Sequence, residues 1–304
     1  MKLSKVGGII AAAGRKTDKP LLQVGEISII RRIVITYQQA GVFPIVVITG
    51  AETPEVRKQL YSCGVIFLPN EQSEQPELME SVRTGLRYLA GKCERVAFTP
   101  VNVPMFTPAT VSSLIQTQGD LVAPSYHGRG GHPVLLSDRI IPQILEYDGP
   151  DGLRGAMNAS GASRKWVDVP DRGVLTNVHN EDELRAQLQE HHHSLVHPVL
   201  HMQLEREVPF FSDRLKLLLF LLADTQNMRV SCAYSDISHS KAWGMINRLE
   251  QMLGFRVVER SRGGKNGGST TLTADGMTFY LRYKRFESRI FRFAQEEFRK
   301  EFPT

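Results

Sequence analysis

Up to about Gln189 the chain alternates short apolar runs with stretches of helical spacing. VGGIIAAAG, FPIVVITG, GVIFLP and ERVAFTP are β-branched or apolar nearly throughout, the pattern of parallel strands covered on both faces. Between them, SIIRRIVITYQQAG, TPEVRKQLYSCG and PELMESVRTGLRYLAG place apolar residues at helical intervals and end on glycine. That rhythm predicts a doubly wound α/β domain over residues 1–190. The segment HHHSLVHPVLHM, His191 to Met202, breaks both periods, so residues 191–204 read as a linker. Its three successive histidines have no carboxylate or cysteine beside them, which favours a polar surface stretch over a metal site.

A different pattern occupies residues 205–304. RLKLLLFLLADTQN sets Leu215, Leu218, Leu219 and Leu222 on one helical face. Arg229 to Tyr234 predict a short second helix, with small Ser231 and Cys232 where a neighbour must come close, and DISHS predicts a turn. Ser238 is the expected N-cap of a third helix, in which Ala242, Met245, Ile246, Leu249 and Leu253 share a face. Lys241, Gly244, Asn247, Arg248 and Gln251 then look outward. Gly254 closes that helix, FRVVER and TTLT read as two strands of a ribbon around the glycine-rich tip SRGGKNGGS, and Ala274 to Lys300 reads as one long helix.

Charge separates the two parts. The net charge of +5 is unevenly placed: from Arg206 onward there are 17 Lys and Arg against 11 Asp and Glu, whereas the preceding residues carry 20 against 21. All the excess positive charge lies in the back part, as expected when one domain meets phosphates and the other does not. The expected partner is double-stranded DNA. Ser238, His239, Ser240 and Lys241 would enter a major groove from the helix N-terminus, with Asn247 and Arg248 on the same outward face. Arg262 and Lys265 of the glycine-rich tip would meet phosphate or a minor groove. A helix pair followed by a ribbon also occurs in protein-interaction domains; the basic balance favours DNA.

The run ISHSKAWGMINRLEQMLGFRVVERSRGGKNGGSTTLTADG closely resembles the winged helix-turn-helix domain of the molybdate-responsive regulator, the ModE type, a fold also used by LysR-like regulators. The resemblance spans nearly all of Arg214 to Phe298 and implies a DNA-binding homodimer. No molybdate-binding domain follows it.

In the front part, IIAAAGRKTDKPLLQVG puts a glycine turn and then cations directly after the first strand. Backbone N–H groups there, with Lys16 or Lys19, can hold a nucleotide's phosphates. Together with FTPVNVPMFTPATVSSL, GRGGHPVLLSDRIIPQIL and GVLTNVHNEDEL, this opening resembles the MobA and MocA-like nucleotidyltransferases, which attach CMP or GMP to molybdopterin. The resemblance implies a ligand site built from Ala12, Ala13, Gly14, Arg15, Lys16, Lys19, Asn102, Gly131, His132 and Asn177, with magnesium assisting the transfer. This copy departs from the family where that chemistry occurs. Only RKTD separates Gly14 from Lys19, a shorter loop than the family's. Asn102 stands where the family has a magnesium-binding aspartate, and Asn177 and His179 stand where it has an acidic pair. Magnesium prefers carboxylate oxygens and sheds water reluctantly, so neutral groups there weaken it.

Two functions follow. One is a regulator of molybdenum cofactor metabolism whose degenerate front domain senses a phosphorylated small-molecule effector, either a nucleotide or a molybdopterin ligand. The other is an active cytidylyl- or guanylyltransferase that also binds DNA. No apolar run reaches the roughly 18 residues that cross a bilayer, the start lacks a signal-peptide pattern, and Cys63, Cys93 and Cys232 form no CxxC pair. Those features predict a cytoplasmic protein with no membrane partner.

Overall fold

Ile9 and Ile10 are adjacent in one strand and both have zero solvent exposure. Successive strand residues point to opposite faces, so that strand must be covered on both sides. The computed structural model describes residues 4–13, 20–50, 53–70, 78–178, 182, 198–261 and 269–302. Two compact units emerge from it: residues 1–59, 68–199 and 295–304, and residues 60–67 and 200–294.

In the first unit the strands are β1 (Ser4–Ala11), β2 (Gln23–Val24), β3 (Ile27–Ser28), β4 (Ile45–Thr49), β5 (Ile66–Pro69), β6 (Cys93–Pro100), β7 (Leu121–Tyr126), β8 (Arg129–Gly130), β9 (Val134–Ser137) and β10 (Arg164–Asp168). The central sheet runs β10, β7, β9, β6, β1, β4, β5, with β8 hydrogen-bonded to β7. β1 pairs in parallel with β4 and β6, in the registers Ile9↔Val46 and Ile9↔Phe98. β9 is antiparallel to both β6 and β7.

The helices are α1 (Ile29–Gln39), α2 (Thr53–Leu60), α3 (Leu78–Leu89), α4 (Pro108–Gln116), α5 (Ile141–Glu146) and α6 (Gly152–Ala159). They group as α1 with α4, and α3 with α5 and α6. The nucleotidyltransferase-like α/β architecture is as expected, but the sheet is mixed rather than wholly parallel. The physical reason is local: the His132–Pro133 loop turns β9 back between β6 and β7 without a crossover helix, and a strand reached by so short a return must run antiparallel. One consequence positions the site. Because β9 opposes both neighbours, β6 and β7 run the same way, and β1, β4, β6 and β7 all end at one edge.

The second unit contains β11 (Leu204–Glu205), β12 (Pro209–Phe211), α7 (Asp213–Thr225), α8 (Met228–Ser235), α9 (His239–Leu253), β13 (Val258–Ser261) and β14 (Ser269–Leu272). The long α10 (Ala274–Glu301) follows β14. Elements occur close to where the sequence places them, with one difference. Every residue of α7 from Arg214 to Leu222 is buried, so the helix is enclosed all round instead of presenting one apolar face. α8, α9 and β14 pack on it, and each leucine fully buried there contributes about 1.5 to 3 kcal/mol. Burial extends to Lys216, whose Nζ lies 2.7 Å from Glu287 Oε1 and 2.9 Å from Asp213 Oδ1. The two carboxylates hold the lysine protonated against the desolvation that opposes its charge, and burial pushes the Glu287 carboxyl up. Among the described residues no helix is long and apolar enough to cross a membrane.

Candidate functional site

The carboxyl ends of β1, β6 and β7 define the edge where open α/β sheets bind ligands. At the end of β1, Ala12 and Ala13 are buried. The Ala12 N–H donates to Ile48 O at 2.9 Å, which extends the β1–β4 ladder and engages that donor. The Ala13 carbonyl accepts from Ser81 Oγ at 3.0 Å, and Ser81 Oγ accepts from Asn70 Nδ2 at 3.3 Å. The chain thus leaves the strand at a fixed position. Gly14, Arg15, Lys16 and Lys19, which carry the expected phosphate chemistry, lie outside the described residues, as does His179.

At the end of β6, the Val101 N–H donates to Ala11 O at 3.0 Å, and the Asn102 carbonyl accepts from Val178 N at 2.8 Å. Asn102 Oδ1 is buried and has no hydrogen-bond partner among the described residues. Asn177 is exposed. The backbone therefore brings the segment bearing Asn177 against the loop bearing Asn102, 75 positions earlier in the chain.

Two residues that sequence reasoning missed hold that loop. Arg32, buried in α1, donates from Nε to Pro104 O at 3.2 Å, while its buried Nη2 has no partner among the described residues. Burial lowers the Arg32 pKa, and nearby Asp171 opposes that shift. Asp171 accepts from the Thr107 N–H at 2.9 Å, from the Thr107 and Thr110 hydroxyls, and from the Gly173 N–H at 3.0 Å. It serves as a brace between the start of α4 and the turn at Arg172–Leu175. No sequence signal marked either residue, because an apolar-period helix hides a buried arginine and a lone Asp in a loop has no pattern.

The Gly131–His132–Pro133 loop docks on the same turn. The Gly131 N–H donates to Pro124 O at 3.0 Å and the His132 N–H to Val174 O at 2.9 Å. A Cβ on residue 131 would stand 2.3 Å from the Val174 carbonyl oxygen, so only glycine permits this approach. The His132 ring meets Phe98 edge-on, with centroids 5.9 Å apart. Its Nδ1 is buried and has no partner among the described residues. Desolvation lowers the imidazole to about 4, despite hydrogen bonding at the Phe98 backbone that favours the charged form. At neutral pH His132 is consequently uncharged and cannot act as a cation toward phosphate.

The sequence resemblance implies magnesium, and the fit is poor. Asn102 and Asn177 offer only neutral oxygens, and Asp171 already accepts from four donors. Among the described residues no three His, Cys, Asp or Glu side chains gather where a metal could be held.

In the second unit, Ser238 caps α9, its side chain accepting from the Lys241 N–H at 3.3 Å. Ser238, His239, Ser240, Lys241, Asn247 and Arg248 are all exposed, as are Gly244 and Gln251, while Ala242, Ile246 and Leu249 are buried. Arg262 and Lys265 lie outside the described residues. The ribbon is antiparallel, with Glu259↔Thr271 in register, and Glu250 of α9 accepts from the Val257 and Val258 N–H groups at 2.8 and 3.0 Å. Sequence reasoning missed a further link. The Arg260 guanidinium stands 3.4 Å from the centroid of the Trp243 ring, and the Trp243 indole N–H donates to His239 Nε2 at 3.3 Å.

Comparison with known proteins bears on the first unit. The profile of the MobA-like NTP transferase domain matches residues 8–165. Among solved structures, Rv0371c from Mycobacterium tuberculosis H37Rv is 20% identical, with a TM-score of 0.54, covering 62% of this chain and 100% of that one. A nucleotidyl transferase from Methanothermobacter thermautotroptrophicus is also 20% identical, with a TM-score of 0.53, covering 62% of this chain and 97% of that one. At that identity the likeness is one of fold. No curated protein matches the sequence.

Proposed function

The chain belongs to the MobA-like NTP transferase family through residues 8–165, and from that premise we propose that it is a DNA-binding regulator whose nucleotidyltransferase-like domain serves as the receptor for a phosphorylated effector. The observation that carries this reading is the Asn102 side chain, whose neutral oxygen is buried at the end of β6 with no hydrogen-bond partner among the described residues, on backbone bonded to the Asn177 segment. The sequence resemblance implies carboxylates at Asn102 and Asn177, and this reading takes their absence as a loss of metal charge. A scaffold that keeps its shape while losing its metal charge is suited to binding a ligand without turning it over.

The second unit supplies the output. A capped helix with exposed Ser238, His239, Ser240 and Lys241 at its N-terminus, beside an antiparallel ribbon, supports reading this unit as a winged helix-turn-helix. The ModE-like resemblance of the sequence supports the same role and suggests molybdenum cofactor metabolism as its setting, with a nucleotide or a molybdopterin species as effector.

Membership of a transferase family and the retained Gly131–His132–Pro133 loop favour a second reading, an active molybdenum cofactor cytidylyl- or guanylyltransferase. A thermal-shift screen of nucleotides and pterin cofactors, with and without magnesium, separates the two. Stabilisation that does not need magnesium, by a ligand that also alters the mobility shift of promoter DNA, is the expected result. Magnesium-dependent stabilisation accompanied by pyrophosphate release would establish the enzyme instead.

A further inference from the structure

Lys241, exposed in the first turn of α9, already has a partner for its amine. Its Nζ lies 2.5 Å from the Tyr61 phenol oxygen and 4.9 Å from the centroid of that ring. A second cation covers the ring: the Arg214 guanidinium stands 3.8 Å from the same centroid. Arg214 Nη2 also donates to Asp236 O at 3.0 Å, in the turn that leads from α8 into α9. One aromatic side chain thus meets a cation from α7 and a cation from α9. Cations are drawn to an aromatic face, and an ammonium donates strongly to a phenol oxygen.

Tyr61 lies 180 positions before Lys241 in the chain. It belongs to residues 60–67, which run from the end of α2 into β5 and form part of the second compact unit together with residues 200–294. The seating of this segment is built. Leu60, Cys63, Val65, Ile66 and Phe67 are buried. Gly64 has φ +63°, and a Cβ there would stand 2.7 Å from the Asp213 carbonyl oxygen at the start of α7. Glycine permits both that conformation and that approach. Tyr61, by contrast, is 48% exposed. An exposed contact of this kind adds little to folding, so its consequence lies in what Lys241 is kept from doing.

We propose that Tyr61 withholds Lys241 from DNA, in an autoinhibitory clasp where the phenol and the duplex compete for one amine. The proposal rests on the reading of α9 as the DNA-reading helix and adds a control from a segment outside the winged fold. A duplex that engages Lys241 must first take the amine from the phenol, which lowers the apparent affinity. Removing the phenol oxygen opens the clasp without altering any residue of α9. The clasp also leaves a mark on Tyr61 itself. Hydrogen bonding from Lys241, then the Arg214 cation, holds its phenol below the ordinary tyrosine range, whereas burial pushes Tyr37 and Tyr283 up.

The test uses the full chain in two measurements. The first is an absorbance titration of phenolate formation. A low step is expected in wild type, absent in Tyr61→Phe and moved to higher pH in Lys241→Ala. The second is binding to duplex from the promoter region of its own operon. Tyr61→Phe, which keeps the ring beneath Arg214, should tighten binding about threefold. In a Lys241→Ala background the same change should have no effect, since the competition is then gone. If the low step does not move in Lys241→Ala, there is no clasp and the proposal fails. If it moves but Tyr61→Phe binds DNA equally or more weakly, Tyr61 does not withhold the lysine; the proposal fails while the DNA-binding reading survives. If the step moves and neither wild type nor Tyr61→Phe binds duplex, the DNA-binding reading falls and takes the proposal with it.

Discussion

The Val178 N–H donates to the Asn102 carbonyl at 2.8 Å, so two segments 76 positions apart meet at the carboxyl end of β6. Asn177 is next to that bond. Restoring carboxylates in Asn102→Asp, Asn177→Asp returns two negative charges to a common neighbourhood. Magnesium affinity should rise on the order of tenfold or more in the double variant, measured by titration with a competing metal indicator. Wild type should release no pyrophosphate from CTP or GTP with molybdopterin in the presence of magnesium. Robust release by wild type would make the transferase reading the leading one.

His132 provides a prediction on pH. Its imidazole sits at about 4 in the folded protein and at the ordinary 6.5 when unfolded. A depressed pKa of a base means that the unfolded chain takes up the proton first. Stability is therefore fully present above pH 6.5 and declines as pH falls from 6.5 toward 4, by about 3 kcal/mol from this group. Urea midpoints measured across that window should fall with acid in wild type and fall less in His132→Asn. Parallel pH profiles for the two proteins would show that His132 is not the source.

The buried ion pair gives a third. Lys216 stands between Asp213 and Glu287 in the core of the second unit. Removing one partner leaves an unpaired buried charge, so Lys216→Met should cost about 3 to 5 kcal/mol. Replacing both, Lys216→Met with Glu287→Leu, should recover most of the loss. If the double variant is as unstable as the single one, the cost lies in packing and not in the stranded carboxylate.

The sequence carried the back part well because its signals are local. Ser238 caps the next turn of its own helix, Gly254 ends the same helix, and the two ribbon strands are near neighbours in sequence. The α/β layering was legible for the same reason, from β-branched runs and helical intervals. What escaped were relationships between distant positions: β9 inserted antiparallel, Arg32 reaching Pro104, and Asp171 bracing Thr107. In GRGGHP, Gly130 gained its meaning only from Trp166, thirty-six residues further on, whose ring a Cβ at that position would meet.

The last prediction concerns DNA and rests on Trp243. Its ring is covered by Arg260 of the ribbon at 3.4 Å and its indole N–H is bonded to His239, so one residue fixes the ribbon's cation beside the exposed N-terminal turn of α9. Stacking of this kind is worth about 0.5 to 2 kcal/mol, enough to hold Arg260 where it can meet a phosphate. Arg260→Ala should lower affinity for all duplexes alike and reduce the salt slope by about one. Trp243→Ala should have much of the same effect, and the double variant should be little worse than either, since both remove one arrangement. Ser240→Ala or Lys241→Ala should instead change which sequence is preferred, if the N-terminal turn of α9 enters a major groove as the resemblance implies. The measurement is a mobility shift of the full chain on the promoter region of its own operon at several salt concentrations. Binding that is absent or insensitive to salt would remove the DNA-binding reading, and additive losses for Trp243 and Arg260 would show that the stack does not position the arginine.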